Sequence, residues 1–248
     1  MILEYHRPKN IDEALVLLGR ISPVTLPLGG GTHLSQHSKD DVAVVDLQGV
    51  GLDQIEILGN SIQIGATVTL QQLMDYDDIP LALKDAIQLE ASLNTRNSAT
   101  VAGKLFTCDG SSPLATVLLA MDTRLVWLPG EIQMAFGDWL PIRNLSKPGK
   151  LIAQFVCPKQ TTVRFAAVGR TPQDRPLVCA AVTTWPSGRT RVALGGAGSA
   201  PLLAMDGTDR GGAESAAENA YSQYHTPWVS NEYLKETARL LVHRLLTE

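Results

Sequence analysis

Pro27-Leu-Gly-Gly-Gly-Thr-His-Leu34 follows an apolar run from Val24 to Leu28. A second glycine-bearing segment, Arg96-Asn-Ser-Ala-Thr-Val-Ala-Gly-Lys-Leu105, lies further along the 248-residue chain. Each reads as a place where an apolar strand breaks into a turn. Glycine there leaves backbone N–H groups unobstructed, so a phosphate can come close to them. Either segment alone is also what a tight structural turn looks like; together they point to a clamp on a long ligand such as a dinucleotide. The common nucleotide fingerprints are excluded. Gly29-Gly30-Gly31 gives way to Thr-His-Leu-Ser rather than completing G-x-G-x-x-G, and no Lys-Ser/Thr follows the glycines. Gly195-Gly-Ala-Gly198 runs into Ser-Ala-Pro and reads as a structural turn.

Outward from the first segment, the pattern alternates between helix and strand periods. Asn10 caps a helix that places Ile11, Ala14, Leu15 and Leu18 on one face, with Gly19 as its stop. Val42 to Leu47 reads as a buried strand, and Ile55 to Gly65 as two strands joined at Gly59-Asn60. Helices are expected at Thr69 to Met74, at Pro80 to Leu93 and after Ser112, where Pro113 suits a first turn. The last third changes texture. Leu151 to Cys157, Thr162 to Val168, Leu177 to Trp185 and Thr190 to Leu194 have the grammar of an antiparallel sheet. Leu203 to Gly212 reads as a loose polar stretch, and helices at Gly211 to Tyr224 and Asn231 to Leu246 close the chain. The Pro148-Gly-Lys region marks a boundary.

Composition mainly excludes. A net charge of −4 gives no electrostatic reason to expect nucleic acid or an anionic membrane. No apolar stretch is long enough to cross a bilayer and the start lacks a basic region before an apolar run, so the chain reads as cytoplasmic. Cys108, Cys157 and Cys179 form no C-x-x-C pair, so an iron–sulfur cluster or structural zinc site cannot be built from this chain alone. His33 and His37 stand four apart, but in a segment that reads as loop, so no metal site is expected.

The residues resemble a family. The first segment is similar to the A-G-G-T-D-L stretch, and the second to R-N-x-A-T-I-G-G-N-L, of the flavin-binding subunits of the molybdenum hydroxylases, the xanthine and carbon monoxide dehydrogenase group. Tyr5 to Ala14, Leu151 to Pro158, Arg164 to Arg170 and Thr226 to Lys235 resemble further stretches of those subunits. The resemblance implies an α+β fold: an FAD-binding domain at 1–158 made of two α+β subdomains (about 1–53 and 54–158). A smaller C-terminal domain at 159–248 would follow, with an antiparallel three-stranded sheet and helices. It implies that Leu28, Gly29, Gly30, Gly31, Thr32, His33 and Leu34 cradle the FAD pyrophosphate. Thr100, Val101, Ala102, Gly103 and Lys104 would wrap the phosphate and ribityl region through backbone amides, with Asn97, Asp109, Leu151 and Asp174 nearby. Gly30→Val or Gly103→Val is then expected to abolish FAD binding in a folded protein.

The sequence departs from the family pattern at Ala102, at His33 and at Pro113, which stands where a second carboxylate follows Asp109, and Gly130 to Gly149 looks short. The resemblance implies an electron relay with no catalytic acid, base or nucleophile of its own. Its partners would be an iron–sulfur subunit and a molybdenum cofactor subunit, and its outlet NAD, oxygen or another acceptor. A flavin-free scaffold subunit and a stand-alone flavin oxidoreductase are the alternatives.

Overall fold

A computed structural model describes residues 1–34, 41–145, 148–172, 174–224 and 226–247, which fall into two compact units. The first unit comprises Met1–Asp75, Leu93–Thr107 and Arg124–Val156. It opens with strand β1 (Ile2–His6), helix α1 (Ile11–Leu18), β2 (Thr25–Leu28) and β3 (Val42–Asp46). The Asn10 side chain accepts the Glu13 N–H at 2.9 Å, which fixes the start of α1. The three strands form a parallel sheet in the order β1-β3-β2, with Leu28 opposite Asp46. Ala14 and Leu18 of α1 pack with Val45, Leu47 and Leu52 in its core.

The hairpin expected at Gly59-Asn60 forms between β4 (Ile55–Leu58) and β5 (Ser61–Gly65), with Gly59 at φ +57°. Short helices α2 (Leu70–Asp75), α4 (Leu93–Ser98) and α5 (Val101–Phe106) belong to this unit, and α3 (Leu81–Glu90) and α6 (Pro113–Ala120) to the other. Strands β6 (Arg124–Leu128) and β7 (Ile132–Ala135) form a further hairpin that leads into α7 (Phe136–Trp139). With β8 (Leu151–Pro158) they complete a five-stranded sheet in the order β4-β5-β8-β6-β7.

Two expectations are corrected here. The run Leu151 to Cys157 does not join the C-terminal sheet; it pairs antiparallel with β6. The second glycine segment is no strand-to-turn break but two short helices, α4 and α5, separated at Ala99-Thr100. Strand pairing is decided by distant partners, and six-residue helices carry too few residues for a period to show.

The second unit comprises Tyr76–Ser92, Cys108–Thr123 and Cys157–Glu248. Its sheet has four strands, not three: β9 (Thr162–Val168), β10 (Val178–Thr184), β11 (Thr190–Gly195) and β12 (Leu202–Gly207), antiparallel in the order β12-β11-β10-β9. β12 is the stretch that reads as loose, because its apolar start runs directly into Asp206, Gly207 and a polar tail. Helix α6 is buried along its whole length and packs on α3, β10 and β11. An apolar surface on every side is what a central helix requires. That packing draws the unit differently from a cut at 158, since 76–92 and 108–123 belong with the C-terminal sheet. Helices α8 (Ala213–Ala220) and α9 (Asn231–Thr247) close the unit around Tyr221, Leu234, Ala238 and Val242. The Gly195–Gly198 turn is structural: the Gly196 N–H donates to Gly110 O at 2.6 Å and the Gly110 N–H to Gly198 O at 3.0 Å. No helix among the described residues is long and apolar enough to cross a membrane.

Candidate functional site

The site lies entirely within the first unit. Gly29–Gly31 leaves the carboxyl end of β2, where loops of parallel sheets project. The neighbouring end of β3 is pinned by buried Asp46, which accepts from the Tyr5 hydroxyl and, at 2.9 Å, from the Gln48 N–H. The bond to Asp46 raises the Tyr5 pKa. Gly31 has φ +70°, a conformation that L side chains resist. Gly29 and Gly30 are required by crowding instead. A Cβ on Gly29 would lie 2.7 Å from Thr100 Oγ1, and one on Gly30 would overlap the Ser98 carbonyl. The two glycine segments are therefore packed on each other as one wall.

Their backbones differ in what they leave available. Among the described residues, no hydrogen bond takes up the N–H groups of Gly29, Gly30 or Gly31. In the second segment four donors are spent, those of 101–104, while the Thr100 N–H has no hydrogen bond among the described residues. The Val101 N–H donates to Val68 O at 2.9 Å, Ala102 to Ala66 O at 3.2 Å, Gly103 to Thr100 Oγ1 at 3.2 Å, and Lys104 to Thr100 O at 2.9 Å. Thr100 is the N-cap of α5, and an isolated bridge ties it to Thr69. The amides of 101–104 hold the second segment in place, so among 100–104 the Thr100 N–H and the side-chain surface are what this segment turns to the cavity.

A cavity of about 470 Å³ opens against this wall. Gly29, Gly30, Gly31, Thr32, His33 and Leu34 line it, as do Thr100, Ala102, Gly103 and Leu151. Leu28, Asn97, Val101 and Lys104 do not: Leu28 accepts the Leu47 N–H at 2.9 Å, Asn97 lies in α4, and Val101 is fully buried. Asp109 and Asp174 belong to the second unit. Asp109 accepts from Ser111 and pairs with Arg175 at 2.9 Å; burial pushes its pKa up, but those partners outweigh it and hold it below the usual range. Asp174 pairs with Arg170 at 3.5 Å. His37 lies outside the described residues, and no group of three or more His, Cys, Asp or Glu among the described residues is placed to hold a metal.

The cavity also has lining that the sequence reading passed over: Arg20, Ile21, Val24, Thr67, Phe106, Thr107 and Lys150. Phe106 is fixed edge-on against Trp139 at 5.0 Å, which holds the cavity side of α5. Arg20 and Lys150 each follow a lone glycine, and those glycines meet. The Gly149 N–H donates to Leu18 O at 2.9 Å, and a Cβ on Gly149 would lie 3.4 Å from the Gly19 Cα. That pair of Gly-basic dipeptides was the available signal. Among the described residues the charged lining is cationic, with no Asp or Glu among it, in a chain of net charge −4. Open amides, two cations and apolar surface from Leu18, Ile21, Val24 and Ile152 suit an anionic ligand with flat apolar ends.

Residues 1–160 match the family model described as the FAD binding domain in molybdopterin dehydrogenase. The chain belongs to that family. Its cofactor is FAD, and it is an oxidoreductase subunit of the molybdenum hydroxylase type. It is 30% identical over 210 residues to the protein named Uncharacterized protein YgfM of Escherichia coli K12, covering 83% of this chain and 79% of that one. It is 38% identical over 95 residues to the carbon monoxide dehydrogenase medium chain of Afipia carboxidovorans, 36% of this chain and 32% of that one. Among solved structures, the carbon monoxide dehydrogenase of Hydrogenophaga pseudoflava superposes with a TM-score of 0.82 at 19% identity, over 100% of this chain and 96% of the other. Quinoline 2-oxidoreductase of Pseudomonas putida 86 gives 0.80 at 19% identity, over 100% and 96%. At those identities the superpositions establish the fold. The residues present fit FAD: Gly29–Gly31 offer three unengaged donors for a diphosphate, and Lys150 a cation in the lining of the same cavity.

Proposed function

We propose that the chain is the electron-relay subunit of a multi-subunit molybdenum hydroxylase-type dehydrogenase. In this role it takes electrons from an iron–sulfur partner, itself fed by a molybdenum cofactor subunit, and passes them to NAD, oxygen or another acceptor. Bound FAD supplies the ability to accept electrons singly and release them as a pair. The chain's own work is binding and orientation. Gly29, Gly30 and Gly31 hold the diphosphate, Lys150 balances its charge, and Thr32, His33 and Leu34 extend the same rim. The observation that carries this reading is the set of open amides at 29–31 in a cavity whose lining, among the described residues, contains no carboxylate to serve as acid or base. A relay needs neither.

Within this reading, the cofactor domain spans 1–158 along the sequence and the C-terminal domain 159–248, a division supported by the family match ending at 160, with 76–92 and 108–123 of the former packing in the compact unit of the latter. The test is to purify the chain with and without co-expressed iron–sulfur and molybdenum subunits. FAD uptake by the chain, and electron flow to an acceptor only in the complex, are expected. Turnover of a small substrate by the isolated flavoprotein would replace the relay by a stand-alone oxidoreductase. A chain that takes up no FAD would favour the scaffold.

A further inference from the structure

One side-chain cluster reaches the cavity without a role in the reading above. Arg20 lines the cavity just past the end of α1, between Leu18, Ile21 and Gly149. Its Nη1 donates to Glu4 Oε2 at 2.7 Å and its Nη2 to Glu4 Oε1 at 3.3 Å, a two-point grip on the guanidinium. His6 Nε2 lies 2.8 Å from Glu4 Oε2 and 3.0 Å from Arg20 Nη1. That nitrogen serves one partner at a time, donating to Glu4 or accepting from Arg20. Glu4 and His6 are alternate residues of β1 and so share one face of the strand. Hydrogen bonds from Arg20 and then His6 lower the Glu4 pKa to about 2, so its carboxylate stays ionised at neutral pH.

This arrangement decides what Arg20 offers to a ligand. A guanidinium whose two terminal nitrogens are held by a carboxylate has its charge balanced and both of those nitrogens engaged. That makes it a weak phosphate anchor. Its flat faces remain, and a held guanidinium is a good stacking surface for a planar ring. Around it the lining is aliphatic, from Leu18, Ile21 and Val24, as a ring edge requires.

We propose that Arg20, positioned by Glu4 and His6, is a specificity-determining residue that stacks on a planar heteroaromatic ring of the bound FAD, leaving the diphosphate to Gly29–Gly31 and Lys150. This rests on the FAD-binding site described above. FAD carries such a ring at each end, and the two sources separate experimentally. Full-length chain stripped of flavin is titrated calorimetrically with FAD, ADP and FMN, as wild type, Arg20→Lys, Arg20→Leu and Glu4→Gln, at low and high salt.

Stacking predicts that Arg20→Lys and Arg20→Leu both weaken FAD about ten-fold, since lysine keeps the charge and loses the plane. The gap to wild type is expected to persist at high salt, whereas a phosphate contact would be screened. Glu4→Gln, which loosens the grip without removing the planar guanidinium, weakens FAD by a smaller factor. A parallel loss for ADP assigns the adenine end, and one for FMN the isoalloxazine end. Thermal midpoints of the stripped variants report whether the pair is merely structural. FAD binding by Arg20→Lys equal to wild type, or a loss that vanishes with salt, overturns the proposal while leaving FAD binding intact. Wild type that binds none of the ligands overturns the FAD reading and this one with it.

Discussion

Gly29–Gly31 and Thr100–Lys104 are both rich in small residues, the first after the apolar β2 and the second after the polar stretch Asn94 to Ser98, and they pack on each other in one wall of the cavity. The first hangs from the end of a parallel strand with its amides open. The second is a capped helix whose amides at 101–104 are bonded to Ala66, Val68 and Thr100. Small side chains thus serve two ends: in one segment they expose the backbone to a ligand, in the other they let one backbone approach another. In the proposed FAD site this makes the grip asymmetric, with donors mainly from the first segment and shape mainly from the second.

The hardest test of this asymmetry is Gly30→Val. Its added carbons would overlap the Ser98 carbonyl, which is backbone and has no rotamer to yield. We expect a loss of more than about 3 kcal/mol of stability together with FAD binding, because the wall itself is forced apart. Denaturant unfolding and FAD titration check both. A variant of wild-type stability that merely fails to bind FAD would mean that Gly30 meets the ligand and not Ser98, as the sequence alone implies.

What the sequence made legible follows from range. Helix α1, strands β2 and β3 and the β4–β5 hairpin were readable because caps, apolar runs and Gly59-Asn60 act over a few residues, whereas β1 was not read as a strand. The first glycine segment was readable for the same reason, since a strand end and a positive φ at Gly31 are local matters. The second was misread because what makes it a helix start is a cap at Thr100 and carbonyls from 66 and 68, some thirty residues away by count along the chain. Arg20 and Lys150 escaped notice on similar grounds, since only the contact of Gly19 with Gly149 brings them to one cavity. The placement of β8 and the burial of α6 likewise depend on partners distant in sequence.

Next in size is Gly31→Ala. At φ +70° an alanine costs about 1–2 kcal/mol, while its Cβ would meet only Leu28 Cδ1 at 3.6 Å. The loop then relaxes away from the strained angle, so FAD affinity is expected to fall along with stability. Affinity unchanged by a full stability loss would show that the Gly31 amide makes no ligand contact. Thr100→Ala comes below it. Removing the cap oxygen from the Gly103 N–H costs about 1 kcal/mol, read as a thermal midpoint lowered by roughly 2–4 °C and restored by Thr100→Ser. A loss of FAD affinity that serine does not restore would give the threonine methyl a ligand contact of its own.

The smallest effect is expected at Gly103→Ala, and its sign is the most informative. Alanine in a helix is favoured over glycine by about 0.5–1 kcal/mol. Against this, the new Cβ would stand 3.0 Å from Thr100 Oγ1, the same atom that caps α5, so a shift of a few tenths of an ångström weakens the cap by a fraction of its worth. The two terms nearly cancel, and stability should stay within about 0.5 kcal/mol of wild type. FAD affinity should hold as well, because the Gly103 N–H is already given to Thr100 and the ligand needs only the surface there. If FAD binding instead collapses in a protein of unchanged stability, a ligand group must approach Gly103 closely enough that no Cβ fits. The two segments would then grip alike, and the division between donor and surface would have to be given up.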